Sequence, residues 1–179
     1  MTRFFILASQ MLLDYTALGL IFVIYVYPRL VRVPLLDALT AITFVHAFRF
    51  LGASYLNPGL SGLDPASSWV LETGYGDLIV SVLAIAAIVS MRIKAPWCIP
   101  LVWVLNIVGF ADTIAAQSRA MLLHLWSSLT GVGWLISITV VPGLLIAHIL
   151  MTILLLRTRG GQLREIHAGR SGNARQDSL

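Results

Sequence analysis

A single cysteine, Cys98, stands in the 179-residue chain. That rules out an intrachain disulfide, a CxxC redox pair and a thiolate metal cluster. Charge is scarce as well: Asp, Glu, Lys and Arg together make up 11% of the residues, against roughly 25% in soluble domains. No glycine-rich loop follows a strand pattern, which removes nucleotide binding through a phosphate loop. No serine sits in a GxSxG elbow, so a serine hydrolase has no support. The histidines show neither HExxH nor HxxxH spacing. No internal repeat is visible, and an odd number of apolar stretches disfavours a simple duplicated transporter.

Apolar residues, by contrast, fill 58% of the chain, and the mean hydropathy is +0.88. A soluble domain of this size leaves too much of its surface exposed to hide that composition. The bilayer is therefore the expected solvent of the outer face. A crossing helix needs about 20 mostly apolar residues. Five stretches qualify, at 3–27, 36–55, 75–93, 99–117 and 131–156. The expected fold is an all-α integral membrane bundle of about five transmembrane helices. Leu122, Leu123, Leu125 and Trp126 suggest a short interfacial helix over 121–129, before the last span.

The connections are legible too. Pro28 and Pro34 bracket a basic link with Arg29 and Arg32, and a second short basic link runs over 91–100. Residues 57–65 are rich in the proline and glycine that turns need. The chain divides into one transmembrane domain over 1–157 and a flexible basic tail over 158–179. Nine basic residues lie in the two links and the tail: Arg29, Arg32, Arg92, Lys94, Arg157, Arg159, Arg164, Arg170 and Arg175. The opposite side shows Arg3 and Arg119. Positive charge near span ends marks the cytoplasmic side, so the expected topology places the N-terminus outside and the C-terminus in the cytoplasm. A bacterial inner membrane suits that pattern. A cleaved signal peptide with Arg3 at its basic end is the rival reading of the first span. Gln10 and Asp14 interrupt its apolar region and argue against it.

Inside the apolar stretches stand Asp14, His46, Arg49, Asp77, Asn106, Asp112 and His148. Ionisable groups in hydrocarbon are costly and need a partner or a task. With about 1.5 Å of rise per residue, His46, Asn106 and His148 fall roughly 10–15 Å from the cytoplasmic end. Arg49, Asp112 and Asp14 fall at about 20 Å, and Asp77 at about 24 Å. The spans thus send polar groups into two adjacent layers. Thr40, Thr43, His46 and Arg49 recur every third residue and share one face. Asn106, Gly109, Thr113 and Gln117 form a second face, and Asp77, Ser81, Ala84 and Ile88 a third.

These seven residues form the expected ligand or proton pocket. Arg49 lies too deep to snorkel and expects a carboxylate, with Asp112 and Asp77 ahead of Asp14. A buried ion pair that only fixes helix register is the plainer alternative. Asp77 has a further one, since Tyr75-Gly76-Asp77 opens the third span and a first-turn carboxylate is favoured by the helix dipole. The leading functional expectation is a pocket that binds or conducts a small solute or protons, with Arg49 anchoring charge. A second is a metal- or haem-dependent membrane enzyme using His46 and His148, as ligands of haem or a divalent ion. A third is a non-catalytic subunit of a larger membrane complex. Expected partners are the lipid bilayer and a small solute or protons, with a second copy or a membrane complex as further candidates. Nucleic acid is not among them, because the basic residues follow topology rather than a reading face.

Overall fold

The computed structural model describes residues 2–157, and the expected basic tail over 158–179 lies outside them. Five helices are long and apolar enough to cross a membrane: α1 (Thr2–Leu30), α2 (Leu35–Leu56), α3 (Ser68–Arg92), α4 (Cys98–Leu122) and α5 (Gly131–Arg157). No strand occurs among the described residues. Short links at 31–34 and 93–97 turn the chain at one end. Pro58–Ser61 and Leu125–Ser127 add short helical turns to the longer connections at the other end.

Helix α3 is the hub and packs against both α2 and α4. Helix α1 is peripheral: Leu7 and Leu30 are its two buried residues. Phe5, Leu12, Leu13, Leu20 and Val23 all lie exposed on it. The interior divides in two along the bundle. Toward the link end, Leu39, Ala84, Val102, Leu105, Met151 and Leu155 close into a continuous apolar core. Toward the other end, Tyr55, Leu63, Trp69, Val70, Leu129 and Ile136 form a smaller cluster.

Two spans differ from the boundaries their hydropathy suggests. Helix α3 starts at Ser68, because the Ser67 side chain accepts the Val70 N–H at 3.2 Å and caps it. Glu72 and Gly74 mask that turn in the sequence. Yet Glu72 sits on the rim, paired with Arg119 of α4. Tyr75-Gly76-Asp77 therefore lies inside α3 rather than opening it, so a first-turn dipole does not account for Asp77. Helix α4 likewise continues to Leu122, and the expected interfacial helix over 121–129 becomes its last turn plus the single turn Leu125–Ser127.

Within the five long helices, three segments depart from α geometry. Phe22–Val26 and Ile136–Val140 are π-helical turns, each ending two residues before a proline, Pro28 and Pro142. Proline cannot donate to the carbonyl four residues back, and the preceding residue bonds one position further instead. Tyr27 donates to the Phe22 carbonyl and Val141 to the Ile136 carbonyl. The third segment is a 3₁₀ helix over Phe48–Leu56 that completes α2. Nine residues is long for this geometry, which rarely exceeds about four. At its start the Ser81 hydroxyl donates to the Ala47 carbonyl at 2.5 Å, an outside donor at the junction of the two helix types.

Candidate functional site

The 3₁₀ geometry decides which residues of α2 face inward. With three residues per turn, positions three apart are eclipsed. Arg49, Gly52 and Tyr55 are the buried residues of the segment. They extend the Thr40, Thr43, His46 stripe, which an α-helix would have rotated away. Gly52 is required by space: a Cβ there would stand 1.8 Å from Asp77 Oδ2. Gly76 makes the same room for Asp112, and Gly109 for the His148 ring.

Arg49 is 3% exposed, and protein acceptors meet all of its donors. Nε donates to Asp77 Oδ1 at 2.7 Å. Nη2 lies 2.6 Å from the same oxygen and 2.5 Å from Asp112 Oδ2. Nη1 donates to the Gly109 carbonyl and to Thr113 Oγ1, both at 2.9 Å. Thr113 in turn donates to the Gly109 carbonyl at 2.7 Å. A guanidinium carries five N–H donors. Both candidate carboxylates thus bind Arg49 at once, and Thr113, which the Asn106–Gln117 stripe places on the inner face, completes the cradle.

Directly beside this cluster, His46 and His148 stack at 4.0 Å between ring centroids, tilted 33°. Both are fully buried. His148 Nδ1 lies 2.9 Å from Asn106 Oδ1, Asn106 Nδ2 donates to Thr152 Oγ1 at 2.7 Å, and Thr152 donates to the His148 carbonyl at 2.9 Å. Among the described residues, both nitrogens of His46 and Nε2 of His148 have no hydrogen-bond partner. Two imidazoles sharing an ion must each hold it in the ring plane at about 2.0–2.1 Å from nitrogen. Rings stacked face to face direct their lone pairs alongside one another, and no macrocycle fits between them. No third His, Cys, Asp or Glu joins them to form a ligand set among the described residues.

Asp14 stands apart from the other six residues. It lines a shallow groove between α1 and α5 with Gln10, Ala17, Ile138 and Thr139, and its buried Oδ2 has no hydrogen-bond partner among the described residues. Gln10, one turn away, accepts from Trp134 Nε1 at 2.9 Å.

Above the Arg49 cluster lies a cavity of about 50 Å³. All five helices line it. Arg49 and Asp77 form its floor, and Tyr55, Trp69 and Ser137 stand along its walls. The Tyr55 hydroxyl and Ser137 Oγ lie 3.1 Å apart, while Trp69 Nε1 donates to the Ala116 carbonyl at 2.8 Å. Trp126 and Leu129 border it toward the end away from the short links. The mostly apolar lining with few convergent polar groups is that of a small-molecule site. Gly52 and Tyr55 do not stand out in the sequence, although both continue the three-residue period of α2.

Among the described residues, fold and cavity together define a helical bundle with five helices apolar and long enough to cross a membrane, built around a buried arginine–dicarboxylate cluster. The chain belongs to the family DUF8737, a domain of unknown function, which it matches over residues 6–156. No curated protein and no solved structure matches it.

Proposed function

We propose that the chain is an integral membrane protein of five spans whose cavity binds a small, largely apolar solute. The observation that carries this reading is the cavity itself: walls from all five helices and a charged floor, ending on a closed apolar half. Leu39, Val102, Met151 and Leu155 fill that half without exposure, so no wet path continues from the floor to the link end. Binding therefore accounts for the geometry better than continuous conduction of solute or protons. The bilayer is the natural solvent for the exposed Leu, Ile, Val and Phe of α1 and of the outer faces of α3 and α4. Arg29, Arg32, Arg92, Lys94 and Arg157 all fall at the link end of the bundle, which we place in the cytoplasm by the positive-inside rule. The cavity mouth then faces outward, across an inner membrane.

The test is retention of ligand. Thr73 lines the cavity and is not among the hydrogen-bond or ion-pair partners of Arg49, so Thr73→Trp fills the space and leaves those partners in place. Both proteins are purified in lipid nanodiscs, and their small-molecule extracts are compared by mass spectrometry. One or more compounds enriched with the native protein and missing from Thr73→Trp is the expected result. Indistinguishable extracts would discard the binding reading.

A further inference from the structure

We infer that the cavity takes a cationic head group on an apolar body, an organic ammonium being the simplest case. This rests on the binding reading above and names its ligand class. The residue expected to anchor charge was Arg49, which would suit an anion. The structure turns that round, because every Arg49 donor is already spent on Asp77, Asp112, Gly109 and Thr113. None is left for an occupant.

Asp77 is the reverse case. Its Oδ1 takes both contacts with Arg49, whereas Oδ2 accepts no hydrogen bond among the described residues. The residue is 7% exposed and lines the cavity floor. Charge counting points the same way. One guanidinium faces two carboxylates, so the cluster carries one negative charge with both ionised, and Arg49 and Asp77 are the charged residues among the cavity lining. A neutral apolar occupant would bury Oδ2 without a partner, which costs free energy. An anion would meet a carboxylate with no spare donor beside it. A cation neutralises the floor. The rings of Tyr55 and Trp69 on the walls add to its attraction, since aromatic faces favour positive charge.

Three probes decide the matter on the full chain in nanodiscs, by isothermal titration calorimetry. Phenyltrimethylammonium and tert-butylbenzene share a shape and differ by one charge; benzenesulfonate supplies the opposite charge. The ammonium is expected to bind roughly tenfold or more tightly than tert-butylbenzene, and the sulfonate not at all. Asp77→Asn should abolish that preference, and Thr73→Trp all binding. The ratio in the native protein is decisive even if Asp77→Asn does not fold. An ammonium that binds no better than tert-butylbenzene, or a sulfonate that binds better than either, overturns the charge assignment and leaves the cavity reading intact. Failure of all three probes to bind overturns both.

Discussion

Arg49 shows how a buried charge can be tolerated when every donor has an acceptor. Removing one partner from such a cluster is strongly destabilising, because the remaining charges stay buried without compensation. Arg49→Ala is therefore expected to cost about 3–5 kcal/mol, seen as a lowered Tm in nanodiscs. Adding Asp77→Asn and Asp112→Asn should restore most of the loss, since the triple variant buries no net charge. A triple variant no more stable than Arg49→Ala would show that the cluster does not act as a charge-balanced unit. Gly52 sets a second test at this scale. A Cβ there would collide with the Asp77 carboxylate, so Gly52→Ala is expected to destabilise by about 1–3 kcal/mol through overpacking. His46 behaves in the opposite sense. Neither ring nitrogen has a partner among the described residues, so His46→Leu removes two unsatisfied polar atoms and should leave Tm unchanged or raise it. A large fall in Tm would mean that those nitrogens hold something in the folded protein.

The helices carry information beyond their residues. A π turn accommodates one residue more than the α-helix it interrupts, because each bond spans five residues instead of four. Deleting Thr139 from the turn Ile136–Val140 should let α5 close into regular helix without rotating Pro142 or His148. Deleting Ile149, exposed in the regular part of the same helix, would turn everything beyond it by about 100°. The first deletion is expected to give a monodisperse, cooperatively unfolding protein by size-exclusion chromatography and thermal melts, and the second an aggregated one. Equal behaviour of the two would mean that the π turn is not what sets the register of α5. The 3₁₀ segment of α2 has a comparable role, since only a three-residue turn keeps Arg49, Gly52 and Tyr55 on one cavity-facing stripe.

Across the whole molecule, the two ends are unlike. One is closed by an apolar core under basic links, and the other holds a cavity lined in part by Trp126 and Leu129. The proposed topology can be read directly with single cysteines in a Cys98→Ser background. Ser128→Cys, exposed near the cavity end, should react with an impermeant maleimide on intact cells. Lys94→Cys, exposed on a basic link, should react only after the membrane is opened. The reverse pattern would invert the protein and point its cavity inward.

Legibility in the sequence differs from feature to feature, for a physical reason. Rise per residue is a local property, so counting along each apolar stretch places His46 level with His148, and Arg49 near Asp77 and Asp112. Composition alone requires five apolar helices. Azimuth and neighbours are not local. Asp14 has the right depth but lies on peripheral α1, where it meets Ile138 and Thr139 instead of Arg49. The start of α3 at Ser68 is hidden because hydropathy weighs Glu72 against a span, while Arg119 on another helix compensates it.

The chain by itself determined the helices, their polar layers and the need of Arg49 for a carboxylate, since periodicity and the cost of burying charge act within single elements. Only the tertiary structure decided that two carboxylates and a backbone carbonyl would share Arg49, that the imidazoles would stack, and that a single Asp77 oxygen would take both of its contacts with Arg49. Those outcomes depend on how five helices meet, and on the space that Gly52, Gly76 and Gly109 leave between them.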